Sequence, residues 1–360
     1  MKTMKFKYSI ISIVLLTLPL SLFSMREASK NIHKEYNVKQ GNSLVVENKF
    51  GDIDIYNWDK NQVSIDVTIL VEHFNDEKAQ KVLEYIKVDF YESENEIKAI
   101  TSFSEGFDKI TNSLFSIGTK EFSIDYKINM PEYLNINITN KYGNTFVSKV
   151  SGHANLNMKY GNIKIINMKR KKQEPMNRIE LAYGNGTIDE CSWLKLDIKY
   201  SNADIENSKS LSIESKYSKL NIGKTKTIIV NSKYDTYNID EMNNLEVETE
   251  YSNYKIDKLN KIFKVNSKYT NIKIYNINNE FEEIDIDNKY GSIKLGIPVE
   301  TSYKLNGEAK YCKIHYPENS DVSRIIENTQ MEVHGVIGNN KNTNSKISIN
   351  TKYGHVFLNE

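Results

Sequence analysis

Cysteine is nearly absent from this 360-residue chain, which has only Cys191 and Cys312. Two cysteines cannot form the dense disulfide framework of a small secreted domain. Prolines number five, so long stretches are free to pair as strands, because proline removes a ladder donor. The six histidines, His33, His73, His153, His315, His334 and His355, show no metal-ligand spacing. His334 and His355 are the pair that the end of the chain would bring near one another. Glycine-rich phosphate loops and nucleophile elbows are missing as well. No sign of charge dominates, with 48 basic residues against 47 acidic ones. A near-neutral chain without a basic domain lacks the electrostatic footprint of a nucleic-acid binder, so no nucleic-acid partner is expected. Past residue 24 no apolar run is long enough to span a membrane.

What the chain has is a repeat, seen most completely in Asn288-Lys289-Tyr290-Gly291 between Ile284, Ile286, Ile293 and Leu295. Its aromatic position is filled by Phe50, Tyr142, Tyr160, Tyr183, Tyr200, Tyr217, Tyr234, Tyr251, Tyr269, Tyr290, Tyr311 and Tyr353. From Tyr183 to Tyr269 the steps are 17, 17, 17, 17 and 18 residues, too short for a helical repeat. Aliphatic residues stand four before the aromatic (Val46, Ile138, Leu156, Ile179) and five after it (Ile55, Val147, Ile165, Ile188). Period-two alternation on each side means two strands with one buried face, and the parity slip between them puts a corner or bulge at the Gly, Ser, Asp or Thr after the tyrosine. One coil cannot bury that face alone, whereas coils stacked ~4.8 Å apart share a continuous interior. The expected fold is all-β: a single-stranded parallel β-helix, or β-solenoid, of ~17–21-residue coils.

The outward columns point to solubility first. Lysine precedes the aromatic at Lys49, Lys141, Lys159, Lys199, Lys216, Lys233, Lys268, Lys289, Lys310 and Lys352, and acids such as Glu47, Glu180, Asp197 and Glu214 stand two residues earlier. A compensated exposed ladder is favoured over a lysine-lined groove for an acidic polymer. The tyrosines share the parity of the apolar positions before them, so their rings are expected to point inward and stack along the axis. The competing reading is an outward aromatic stripe able to stack on sugar rings. Ser215, Ser232, Thr249, Ser267 and Asn288, two residues before their tyrosines, are placed to hydrogen-bond inside the coil.

Lys2, Lys5 and Lys7, the apolar run Ile10 to Phe23 and Ser24 read as an export signal over residues 1–24. Cleavage near Ser24 is favoured over an uncleaved anchor, and no cysteine follows the run, so lipidation is not expected. Export permits disulfides, yet a stack of coils separates Cys191 from Cys312 by ~25 Å or more, against the ~7 Å that a bridge tolerates. Two free thiols are expected.

Residues 25–133 are expected to hold the first coil and a small α+β cap: a polar tail from Met25 to Asn42, a strand from Val63 to Val71, a helix at about 76–87 and strands at 87–91, 96–103 and 122–130, with a loop at 104–119. Residues 134–360 carry the repeats. A basic insertion, Lys169, Arg170, Lys171 and Lys172, loops outward and is the candidate contact for anionic envelope polymers. The 42-residue step from Tyr311 to Tyr353 calls for a degenerate coil or hairpin around Glu332 to Gly335. Open edges at that end would allow self-association unless residues 321–344 cap them. No room is expected for a sorting domain or wall anchor.

The export signal, Asn48-Lys49-Phe50-Gly51-Asp52-Ile53, Trp58-Asp59-Lys60-Asn61 with Val63, Ser123-Ile124-Asp125-Tyr126, Met130-Pro131 and Asn140-Lys141-Tyr142-Gly143 resemble, in this order, the bacterial β-strand-repeat "putative adhesin" family of unknown function. The resemblance spans nearly the whole mature chain. It implies an exported β-helical protein of the bacterial envelope, in the periplasm or at the cell surface, and brings no catalytic residues. The chain departs from the family pattern where glycine after the tyrosine becomes Ser201, Ser218, Asp235, Ser252, Thr270 or Cys312. The leading functional expectation is a non-enzymatic surface for an envelope protein or glycan, with no cofactor or metal. A periplasmic structural or envelope-stress signalling component is the alternative. A polysaccharide-active enzyme ranks last, because acids are spread along outward columns and not paired at a set separation.

Overall fold

The computed structural model describes residues 26–73, 75–109, 122–317 and 321–359. The expected export signal lies outside them, as does most of the 104–119 loop. The architecture is all-β, and the strands belong to one open hydrogen-bonded sheet that does not close into a barrel.

Most of the sheet consists of two rows of parallel strands, one on each side of the aromatic corners. In the first row Val46, Ile138, Leu156, Ile179, Leu196 and Ile213 stand in register, each on the next strand, and the column continues to Ile286. The second row aligns Ile55, Val147, Ile165, Ile188, Ile205 and Ile222 in the same way. These side chains are almost wholly buried. Each contributes about 1.5–3 kcal/mol by leaving water, and β-branched residues suit the pleated face they line. In the middle of the chain the strands Lys219–Lys233, Thr236–Glu250 and Asn253–Lys268 run from one row into the other without a break.

The N-terminal part is built from β1 (Arg26–Asn37), β2 (Ser43–Lys49), β3 (Ile53–Asn57), β4 (Gln62–His73), α1 (Asp76–Glu84), β5 (Ile86–Glu92), β6 (Glu96–Phe103) and β7 (Phe122–Met130). β2 and β3 start the two rows, β6 and β7 pair beside them in parallel, and β5 and β4 add antiparallel neighbours. β1, expected as a polar tail, pairs with β4 antiparallel over its full length. Its alternation is masked because its free edge is charged, with Lys30, His33, Lys34 and Glu35 exposed, a composition that discourages further pairing. α1 begins where the Asn75 side chain accepts from the Lys78 N–H at 3.1 Å, and Asp76 and Glu77 complement its N-terminal dipole. It buries Ala79, Val82 and Leu83 and ends at Glu84, short of the expected 87, because Ile86 is already the first buried residue of β5.

The C-terminal end departs from chain order. The last long strand, Lys346–Lys352, lies between Glu283–Lys289 and Tyr303–Lys310 and is parallel to both. The hairpin Asp321–Glu327 and Gln330–Ile337 pairs antiparallel on the far side of Tyr303–Lys310. Of the degenerate coil or hairpin expected around Glu332 to Gly335, the structure has the hairpin. That the final repeat would slot inside the stack was not expected.

Candidate binding surface: the outward aromatic ladder

All twelve ladder aromatics adopt a left-handed backbone, with φ between 51° and 69°. The corner is therefore the tyrosine itself and not the residue after it, which corrects the expected position. This turn also reverses the side chain. The residue two before is buried and the lysine one before points out, so an extended tyrosine would point in; the left-handed turn sends its ring out instead. The ladder tyrosines are 40–50% exposed, against the inward expectation.

The rings stack. Neighbouring centroids lie 4.7–5.2 Å apart with planes within 14° of parallel, from Phe50 and Tyr142 at one end through Tyr290, Tyr353 and finally Tyr311. Offset stacking of this kind adds about 0.5–1.5 kcal/mol per pair, enough to offset roughly the 1–2 kcal/mol cost of a left-handed non-glycine residue. Because internal rings occupy each other's faces, the ladder shows a ligand its edges and hydroxyls. Flat stacking on sugars is blocked except at an end.

Lysine ammonium groups flank the rings, 4.5–5.9 Å from the centroids at Lys49, Lys141, Lys159, Lys216, Lys233, Lys310 and Lys352. Acids neutralise part of the column: Lys199 meets Asp197 at 3.2 Å, and Glu250, itself in the lysine column, meets Lys233 at 2.8 Å and Lys268 at 3.6 Å. On the other flank runs an amide ladder. Asn144, Asn162, Asn185 and Asn202 each donate from Nδ2 to the Oδ1 of the residue one layer before, beginning at Asp52, over 2.9–3.2 Å. Between rings and amides lies a cleft of about 810 Å³, floored by Gly51, Gly143, Gly161 and Gly184 and closed at one end by Leu70, Glu72 and Phe122. The floor must be glycine because a Cβ on Gly161 would stand 1.8 Å from the Gly143 carbonyl oxygen.

Further along, the corner changes chemistry. Ser201 Oγ accepts from the Gly184 N–H (3.1 Å), Asp235 Oδ1 from Ser218 (2.7 Å) and Ser252 Oγ from Asp235 (3.1 Å), so each polar side chain caps the corner before it. These substitutions for glycine are a second corner type, not a loss of the first. Asp235 is buried and also accepts from Ser215 and the Lys233 N–H; burial nonetheless raises its carboxyl above the usual range. Tyr237 and Tyr254, not singled out from the sequence, are the inward aromatics. They stack at 4.6 Å and place their hydroxyls 2.6 Å from Ser215 and 2.5 Å from Ser232. Their signal was tyrosine in a column whose neighbours on either side are Leu220 and Ile272, facing a serine one layer before.

The basic insertion is partly spent on structure. Lys169 pairs with Glu190 at 2.6 Å and the Arg170 guanidinium donates to the Pro175 carbonyl, leaving Lys171 and Lys172 as its exposed cations with no ion-pair partner among the described residues. His355 comes beside His315, 5.6 Å between rings, and not beside His334, because the last repeat is inserted before the Tyr311 layer. Both cysteines are free: Cys191 is buried, which pushes its thiol up to about 12, and Cys312 is half-buried. Among the described residues no cluster of His, Cys, Asp and Glu is arranged to hold a metal, and no helix is long and apolar enough to cross a membrane.

Compared with protein-family models and with curated proteins, the chain matches none. Among solved structures it is similar to a "putative adhesin" from Bacteroides fragilis NCTC 9343, at 11% identity and TM-score 0.34, covering 91% of this chain and 97% of that one. It is also similar to a "putative cell adhesion protein" from Clostridium sporogenes ATCC 15579, at 11% identity and TM-score 0.19, covering 92% and 99%. A third is a "putative lipid binding protein" from Parabacteroides distasonis ATCC 8503, at 13% identity and TM-score 0.36, covering 73% and 95%.

Proposed function

We propose that the two parallel rows are successive coils of a single-stranded β-solenoid, capped by the N-terminal α+β unit, and that the protein is a non-enzymatic binding scaffold exported to the bacterial envelope. The observation that carries this reading is the outward ladder: twelve ring edges, eleven of them bearing hydroxyls, at a 4.7–5.2 Å repeat, with ammonium groups on one flank and amides on the other. Such a face repeats its ring edge at every layer, which suits a long regular partner, an envelope glycan or protein, better than one small substrate. Apart from Glu72 at its closed end, the carboxylates that line the cleft are committed to holding backbone: Asp52 accepts from the Asn144 N–H at 2.7 Å and Asp125 from the Asp52 N–H at 2.8 Å. Neither is left as a free acid or base, which supports the non-enzymatic reading. Co-sedimentation of the purified protein with isolated cell-wall and outer-envelope fractions tests it. Retention on one fraction, lost on digesting that fraction's glycan or protein, is expected. Recovery of all the protein in the supernatant would overturn it.

A further inference from the structure

The ladder has two unlike ends. Phe50 is covered at its end by Phe103 and Phe122, with centroids at 5.9 and 5.0 Å. Tyr311, the last ring at the other end, has among the described residues a ring partner on one side only, Tyr353. Where a further rung would stand, the turn of the C-terminal hairpin passes instead. The Tyr311 N–H donates to the Thr329 carbonyl at 2.8 Å, and Asn328 takes the left-handed backbone (φ 51°) of a ladder tyrosine without its ring. The missing ring leaves a cleft of about 1050 Å³ against Tyr311.

Among the described residues the charge of that cleft is one-sided. Lys313 and Arg324 line it, with His315 and His355 in its wall, and no described acid does. Neither Lys313 nor Arg324 has an ion-pair partner among the described residues, whereas the nearby Lys341 is held by Asp321 at 2.8 Å. A cleft lined by one sign of charge concentrates the opposite sign, and a guanidinium recognises a carboxylate through two parallel hydrogen bonds. Gln330 and Asn328 add neutral donors and acceptors.

We propose that this cleft is a binding site for an acidic saccharide: a pyranose lays its C–H face on the free side of Tyr311 and directs its carboxylate to Arg324 and Lys313. The inference rests on the envelope-binding reading and names a ligand class and a place for it. Tyr311 is the ladder ring left free for such stacking, because the internal rings cover one another and Phe50 is covered by phenylalanines.

Isothermal titration of the purified protein with tetragalacturonate, its methyl-esterified neutral counterpart and sodium sulfate tests the site. Tetragalacturonate is expected to bind, and the ester at least about tenfold more weakly, as is the acid form to the double variant Lys313→Gln, Arg324→Gln. Tyr311→Asn keeps a residue tolerant of the left-handed turn and is expected to weaken binding several-fold. Circular dichroism and a retained cooperative thermal transition establish that the variants fold. No binding of tetragalacturonate overturns the proposal. Binding that both variants leave unchanged overturns the site while the envelope reading stands. Equal binding of sulfate, insensitive to Tyr311→Asn, reduces the cleft to a simple anion point and overturns the saccharide assignment. Failure of co-sedimentation alongside uronide binding would sink the envelope reading alone.

Discussion

Tyr217 shows what each layer asks of one residue. It has a left-handed backbone and a ring stacked on Tyr200 at 5.0 Å and Tyr234 at 4.9 Å. Removing the ring by Tyr217→Ala is expected to cost about 1–3 kcal/mol, the sum of two offset stacks. Tyr217→Gly loses the same stacks but relieves the backbone, so it should be more stable than the alanine variant by about 1 kcal/mol, the reverse of the order in a regular strand. Urea denaturation of both variants checks this, and an alanine variant the more stable of the two would place the corner elsewhere. Asp235 makes a second test. Its folded pKa is raised by burial, so its contribution is greatest where it is protonated in both states, below the unfolded value of about 3.9, and falls as pH rises toward the folded pKa. Asp235→Asn should flatten that part of the stability profile, read as the difference in urea midpoints between pH 3 and 7. The ladder was legible from the sequence because its spacing is regular, and so was the buried aliphatic column. The direction of the rings was not: period-two parity assumes an extended backbone, and a single left-handed residue inverts it.

Elements were legible where periodicity is local. The strands at Glu96–Phe103 and Phe122–Met130 and the start of α1 lie where alternation, an asparagine cap and Pro131 put them. β1 was hidden because an edge strand needs charge where an inner one needs aliphatic residues. The place of Lys346–Lys352 was hidden for another reason: a repeat specifies which strands are alike, not the order in which they stack. Its insertion between Glu283–Lys289 and Tyr303–Lys310 has a mechanical consequence. Removing residues 345–360 opens a gap within the stack, so hydrogen exchange should accelerate in both flanking strands while Asn177–Ala182 and Trp193–Lys199 stay protected. Acceleration confined to one flanking strand would mean that the last repeat sits at the end. The two corner types follow the same logic at this scale: glycine corners form the open cleft beside the amide ladder, and hydroxyl or carboxyl corners close it by capping the layer before.

For the molecule as a whole, the proposed function follows from repetition. Each layer adds the same ring edge, flanking charge or amide and buried aliphatic pair, so length extends one surface and does not deepen one pocket. The N-terminal end carries α1 and the charged edge of β1; the other carries the cationic cleft at Tyr311. This polarity fits the proposed scaffold, with a ligand engaged along its length and at the cationic end. Trypsin treatment of intact cells, with a periplasmic protein as control, tests the account most directly. Lys171 and Lys172 stand exposed in an insertion between paired strands, whereas the layers around them are tightly hydrogen-bonded. A surface-displayed binding scaffold predicts cleavage near residue 172 into two fragments while the control stays intact. Protection of that insertion until the outer envelope is opened would contradict a role in engaging partners outside the cell and leave a periplasmic structural or signalling component in its place.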